Sequence, residues 1–490
     1  MTVAHKKIFS GARIARLRGD HGMTQAALAR RLGLSVSYFN QIERDQRPLP
    51  PRLLGELCAI FDVGADFFDD MEENRGIQAL REILTDRVFS GESVPFAALQ
   101  AAMRVAPALC SEFVHLYRAY LSTQERGVIQ SSDAMHSRAP ATGAAQEEPY
   151  EAVASWVQAH HNYFDTLDRM AEAQYHALGL GEGGMAARLS RHLRDRHNFR
   201  VAMDAEMTKS GDTWRIDRKS RTIWLPDGER YSRTCFRLAQ AIGEAECHAA
   251  FERILRHSPL RDTGAATLGR LFLMNYYAGA LILPYGIFRD AALAMRHDIE
   301  RLRRVFGASF EQVCHRLSTL QRPGAEGVPF YFMKIDIAGN ILKSYSANSF
   351  FPSRFGGPCP LWSVFRAFQM PAQVQVQLAR MDDHKNYLSI ARQVGRSSTS
   401  SFDQPRQTAV MLGCSIEHAR DLVYSVGLDL AEPATLVPIG PGCRACLRDN
   451  CAHRALPASG HRQAAARDAR GRLPEPVHPL SATARNSAPS

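Results

Sequence analysis

No stretch of the 490-residue chain is long and apolar enough to span a bilayer, and the opening MTVAHKKIFSGARIARLRG lacks the hydrophobic core of a signal peptide. The expectation is a cytoplasmic protein with no membrane partner. Internal repeats are absent, which argues against a solenoid or propeller, and the length implies about three domains. Acidic residues are in deficit, 50 Asp and Glu against 60 Lys and Arg for a net charge of +10. That balance suits a polyanionic partner without naming one. Large apolar residues are too few after Leu456 to build a core, so 457–490, rich in Ala, Arg, Pro and Ser, reads as a disordered tail. Cysteine is not scarce, and in a reducing compartment the 10 cysteines read as thiols or metal ligands rather than disulfides.

What is present is clearest between Met23 and Arg47, MTQAALARRLGLSVSYFNQIERDQR. Leu28, Ala29 and Leu32 lie on one stripe of a first helix, Phe39 and Ile42 on one stripe of a second, and Gly33 supplies a permissive backbone between them. Thr24 and Ser35 are the expected N-caps. With Phe39 and Ile42 turned inward, Val36, Ser37, Tyr38, Asn40 and Gln41 remain outward, where Gln and Asn can read adenine and Val a thymine methyl in the major groove. Gln25, Arg44 and Arg47 are placed to hold phosphates. Flanking helices over Gly11–Asp20 and Pro51–Phe61 complete a pattern that resembles the helix-turn-helix domain of the Cro and phage-repressor type over 1–72. The resemblance implies a double-stranded DNA operator as partner. It also implies a homodimer, because one such unit reads only a short half-site.

Residues 73–130 read as a helical connector in which Ile83, Leu84, Phe96, Leu99, Met103, Phe113 and Leu116 are spaced for packing, and the polar stretch 131–149 reads as a linker. From 150 to 325 a second apolar-periodic block carries WRIDRKSRTIWL, two short strands around Lys219–Arg221, and then two helices. This order resembles the metallopeptidase-like domain found fused to such repressors, in which the first helix carries His-Glu-x-x-His. Here Gln240, Ala241 and Glu244 stand at those positions, with Leu273 where the family places its acidic third ligand. Gln is a poor zinc ligand and Ala cannot take a proton from water, so hydrolysis is not expected and the protein is not read as an enzyme. His248 and His257 read as solvated side chains, and Asn275, Tyr276 and Leu283-Pro284-Tyr285 as remains of the scaffold.

In the last block, 326–456, VPFYFMKIDIAGNILKSYS reads as a hairpin about Gly339-Asn340. FGGPCPLWSVFRAFQMP, YLSIARQV, RQTAVMLGCSIEHARDLVYSVGLDL and PIGPGCRACLRDNCAHRA follow. Cys443, Cys446 and Cys451 have the spacing of metal-binding thiolates, with His453 close by as a fourth ligand and Cys359 as the family-like alternative. Zinc or an iron–sulfur cluster fits them, zinc ahead of iron on spacing, and so does a set of buried, unliganded thiols.

Taken in order, these segments resemble the short-chain fatty acid, or short-chain acyl-coenzyme A, transcriptional regulators. The implied fold is multidomain: an all-α helix-turn-helix headpiece, then an α+β, degenerate zincin-like middle and an α+β sensor-like C-terminal domain. The implied function is sequence-specific control of genes for acetate- or propionate-type acyl metabolism, with an acyl-coenzyme A as effector. A coenzyme A site needs cations and an apolar slot; Arg354, Arg366, Lys385 and Arg392 offer charge, Phe350, Phe351, Trp362 and Phe365 the slot, and no single one is assigned as a contact. The alternative is a redox- or metal-responsive regulator that senses through its C-terminal cysteines.

Overall fold

The computed structural model describes residues 10–44, 46–61, 70–84, 86, 88–89, 94–117, 120, 149–205, 207, 214–348, 350–353, 357–371, 373–395, 407–448 and 451–456. The expected linker up to residue 148, the tail 457–490 and Arg354 lie outside them.

The headpiece is four helices, α1 (Gly11–Asp20), α2 (Gln25–Arg31), α3 (Val36–Glu43) and α4 (Pro51–Phe61). Ile14, Leu17, Leu28, Ala29, Leu32, Phe39, Ile42, Leu53 and Leu57 close a core of their own, as the 3.6-residue spacing requires. Thr24 Oγ1 and Ser35 Oγ accept from Ala27 N and Tyr38 N, each at 3.2 Å, so both helix starts are fixed by side-chain caps. Between α2 and α3 Gly33 takes φ +66°, a conformation costly for any residue with a Cβ.

The connector starts within the stretch assigned to the headpiece, since α5 spans Asp70–Ile83 and not residues after 72. It continues with α6 (Phe96–Val105) and a helix over 107–117, α7. Ile77, Leu80, Leu99, Met103 and Cys110 form its core, but Leu116, expected inward, is 67% exposed, with Leu109 at 71% and Val105 at 84%. Periodicity marks the apolar positions and could not say that these three stay exposed among the described residues.

The middle region comprises α8 (Pro149–Ala159), α9 (Asp165–Ala177), α10 (Met185–His197), β1 (Arg200–Asp204), β2 (Arg215–Asp217), β3 (Thr222–Pro226), α11 (Tyr231–Glu246), α12 (His248–Arg256), α13 (Thr263–Ile282), α14 (Tyr285–Ala294), α15 (Ile299–Phe306) and α16 (Phe310–Leu317). The strands order β1-β3-β2; the β2–β3 pair is the predicted hairpin, and β1, running parallel to β3, is an addition to it. No single described helix is long and apolar enough to cross a membrane; α13 and α14 pass that test only as a pair, bent by 61°.

The C-terminal region is built on β4 (Tyr331–Asp336), β5 (Ile341–Ser346), α17 (Ser363–Gln369), β6 (Gln375–Arg380), β7 (Asn386–Gly395), β8 (Gln407–Ser415) and β9 (Val437–Pro438), in the sheet order β5-β4-β8-β7-β6-β9. Alternate residues enter different cores. Val410, Leu412 and Cys414 of β8 join the helices of the middle region, whereas Ala409 and Met411 face α17, Trp362 and Cys359. The middle and C-terminal regions therefore share one continuous core, and both faces of the central strands are covered.

Candidate functional site

On the headpiece, Val36 is 48% exposed at the start of α3, Ser35, Ser37, Arg44 and Arg47 are also exposed, and Tyr38, Asn40 and Gln41 are half-buried. Arg47 sits over the Tyr38 ring at 5.4 Å, so the two form one cationic edge beside the reading face. Gln25 is placed differently from its expected role. Its Nε2 donates to Glu43 Oε2 at 2.7 Å and to Asn40 Oδ1 at 3.2 Å, and Glu43 also receives Arg18 Nε at 2.7 Å. In the free chain the Gln25 side chain is thus a brace between α2 and α3, while its backbone N–H stands in the first turn of α2. Gly11 explains how closely α1 approaches this brace, since a Cβ there would stand 2.3 Å from the Glu43 carbonyl.

In the middle region the place of the missing peptidase site is filled. Gln240 is buried and its amide joins two neighbours, accepting from Arg237 Nη1 at 2.9 Å and donating to Asn275 Oδ1. Ala241 and Leu273 are buried beside it, and Glu244 is turned to Arg218 Nη2 at 2.7 Å. Below it, Tyr276 donates to Asp168, which also pairs with Arg316; both charged side chains are almost fully buried. His257 is exposed and bonds to the carbonyl of Arg253, and His248 touches Arg270.

The aromatic slot proposed for an acyl chain is not open. Phe350 and Trp362 are each 1% exposed, Phe350 stacks on Tyr331 at 3.9 Å, and Phe365 packs against the same core. These rings are spent on the sheet's second face, where they fill the space between its strands and α17. Of the cations, Arg392 pairs with Glu300 and lies over Phe310, Lys385 is 3.6 Å from Asp383, and Arg366 is exposed.

The cysteines do meet. Cys359, Cys443, Cys446, Cys451 and His453 line one small cavity with Arg448 and Arg454. No disulfide links them. Gly440 allows the approach, since a Cβ there would stand 2.6 Å from Cys446 Sγ, and its carbonyl accepts from Trp362 Nε1 at 3.0 Å. Burial pushes the Cys359 thiol up to about 11, against backbone N–H groups of Gly440 and Leu361 that favour the thiolate. Burial also raises Cys446, with Arg448 N–H and the charges of Arg454 and Arg448 opposing. Ala455 N donates to Cys443 Sγ at 3.4 Å. Four sulfurs facing one space, three of them supported by backbone donors, form a donor set suited to a soft cation, which would reverse the cost of ionising them.

Comparison with known proteins follows the same three-part order. Residues 11–69 match a helix-turn-helix domain model, 194–318 the IrrE N-terminal-like domain, and 319–474 the short-chain fatty acyl coenzyme A regulator, C-terminal model. The chain is 37% identical over 476 residues to the HTH-type transcriptional regulator PrpR of Mycobacterium tuberculosis, covering 96% of each. The chain belongs to the short-chain fatty acyl-coenzyme A regulator family. The family's Propionyl-CoA carboxylase regulator of Cereibacter sphaeroides is also 37% identical, over 470 residues, 96% of this chain and 98% of that one. A solved structure described as a Mycobacterium tuberculosis transcriptional regulator superposes with a TM-score of 0.61 at 37% identity, covering 64% of this chain and 94% of its own. This family member is a DNA-binding regulator of transcription and not an enzyme, in keeping with its regulator-named relatives.

Sequence reading missed how the regulator's parts are tied together. Arg81 of α5 is buried, and its Nη2 reaches both Asp382 Oδ2 and the Ala445 carbonyl at 2.6 Å; Ala445 lies between Cys443 and Cys446. Asp382 also accepts from Leu447 N at 2.9 Å, and the adjacent Glu82 accepts from Ser353 Oγ at 3.0 Å. Toward the other end of α5, Glu73 holds Arg13 of α1 at 3.1 Å and Arg104 of α6 at 2.9 Å. An arginine in a polar helix gives no sign that its partners lie 301 and 364 residues away.

Proposed function

We propose that this regulator binds a double-stranded operator as a homodimer in the cytoplasm, controls genes of acetate- or propionate-type acyl metabolism, and answers to an acyl-coenzyme A. The observation that carries the reading is similarity over nearly the whole chain to regulators of this class, including the C-terminal region whose family model names the fatty acyl coenzyme A. Dimerisation is supported by Val105, Leu109 and Leu116 of the connector, which stay exposed among the described residues beside the headpiece that has to be paired. The route from sensor to headpiece is α5: between Glu73 and Arg81 the helix runs about 12 Å as one rigid piece, with the headpiece on one end and the cysteine lobe on the other.

A second signal through the cysteines has its own support in the Arg81 contact with the Ala445 carbonyl. Among the described residues, no three of Cys359, Cys443, Cys446, Cys451 and His453 bring ligand atoms within 4.8 Å of one another. A single tetrahedral zinc would hold its sulfurs about 3.8 Å apart, given Zn–S bonds of ~2.3 Å. An iron–sulfur cluster spans a wider set of thiolates than one zinc, and the same four sulfurs offer it a donor set. Held by Cys359, Cys443, Cys446 and Cys451, such a cluster would supply one-electron redox chemistry.

The test is footprinting at fixed salt on DNA upstream of the protein's own gene, with and without acetyl- and propionyl-coenzyme A, using wild type and Arg81→Ala. A footprint that changes with one acyl-coenzyme A in wild type and is indifferent in Arg81→Ala supports both effector and route. Indifference in wild type removes the acyl-coenzyme A reading and leaves the cysteine signal, to be read by repeating the experiment after oxidation.

A further inference from the structure

Away from both the filled peptidase site and the cysteine lobe, His192 and His197 of α10 meet Glu246 at the end of α11. The two Nε2 atoms lie 2.6 and 2.7 Å from the same carboxylate oxygen, Oε1, and the three ligating atoms all fall within 4.8 Å of one another. The side chains are 14%, 19% and 20% exposed, so the group sits in a shallow recess and not on open surface. We propose that His192, His197 and Glu246 hold a zinc-type divalent metal ion that staples α10 to α11.

Three observations carry this beyond an ordinary ion pair. First, the donor set is two imidazoles and one carboxylate, a combination that binds zinc with a fourth position left over. Gln174 ends 3.2 Å from His192 Nε2, close to the spacing of about 3.3 Å that ligands at ~2.0 Å from one ion adopt, and its amide oxygen can take that position once the amide is turned over.

Second, both imidazoles converge on one oxygen: His192 Nε2 and His197 Nε2 each point at Glu246 Oε1. With a metal ion at the centre, each Nε2 binds by its lone pair and the carboxylate by that oxygen.

Third, Glu246 is the last residue of a 16-residue helix, where the helix dipole disfavours a carboxylate. Arg196 stands beside it at 3.6 Å and is 71% exposed. A divalent ion would add positive charge where the helix dipole is negative. The frame is rigid: Asn198 in a left-handed conformation, φ +56°, ends α10, and its N–H bonds back to Arg194 O at 3.0 Å. The site is distinct from the peptidase vestige, since Gln240 lies six residues earlier on α11, about 9 Å along the axis.

The test uses metal-stripped full-length protein titrated with cobalt(II), whose spectrum separates thiolate ligation, with its near-ultraviolet charge-transfer band, from nitrogen and oxygen ligation, which gives visible bands alone. Wild type should take up one equivalent of the second kind in addition to whatever the cysteines bind. The double variant H192A/H197A should lose that equivalent and keep the thiolate band. Glu246→Gln retains the hydrogen bonds but not the anionic ligand; it should melt at the wild-type temperature without metal and lose the rise in Tm that zinc gives wild type. Equal uptake by wild type and H192A/H197A, or an undiminished zinc-induced rise in Glu246→Gln, overturns the proposal.

Discussion

The headpiece and the sensor half solve opposite problems. In the headpiece, residues within about fifty positions of one another close a core, and function lies in what is left outside it: Val36, Ser37 and Gln41 on α3, with Arg44 and Arg47 beyond. In the sensor half no local segment is self-sufficient. The β4–β8 strands bury one face against the middle helices and the other against α17, and Cys359 reaches Cys443 and Cys446 across 84 or more residues. A local fold exposes its functional residues by default, whereas a shared core buries its polar groups and makes them answer for stability as well.

That contrast can be broken most severely at Asp168. Asp168→Ala leaves Arg316 charged, buried and unpaired, at a cost of about 3–5 kcal/mol. All four tryptophans, Trp156, Trp214, Trp224 and Trp362, lie in the sensor half, so denaturation followed by tryptophan emission should move to lower denaturant while operator binding by the headpiece persists. Loss of both in one transition would mean that the Arg13–Glu73 and Arg81 contacts fuse the regions into a single cooperative unit.

On the headpiece, Gln41→Ala should cost about 1–3 kcal/mol of preference for operator over random DNA. Arg44→Ala should weaken both alike and lower the salt dependence by roughly one counterion. Equal losses from the two variants in titrations at several salt concentrations would misplace the reading face.

A gradual effect, smaller at each pH step, separates the regions by pH. Burial, helped by the charge of Lys343 and opposed by Glu311, lowers His315 to about 3 from its ordinary 6.5. Below pH 6.5 the unfolded chain takes up a proton there that the folded chain refuses, so stability falls as pH drops from 6.5 toward 3, at about 1.4 kcal/mol per pH unit. His315→Gln should flatten that slope in the tryptophan-detected transition. The same slope in both proteins would show that other groups, Glu311 among them, set the acid limit.

Much of this protein was legible in its sequence. The caps Thr24 and Ser35, the stripes of α1 to α4, the β2–β3 and β4–β5 hairpins and the departures at Gln240 and Ala241 are fixed by neighbours within a few residues, and periodicity and turn chemistry report such neighbours directly. Spacing also marked Cys443, Cys446 and Cys451, because a tight turn brings them together by itself. What only the tertiary structure decided is which long-range surfaces meet. It turned Phe350 and Trp362 from a ligand slot into core, left Leu116 uncovered, set Gln25 bracing α3, brought Arg81 to the Ala445 carbonyl, and gathered His192 and His197 about Glu246. A residue's type and its local pattern say whether it wants burial or a charge; the partner that satisfies it depends on how whole helices and sheets pack, and no short window of sequence contains that.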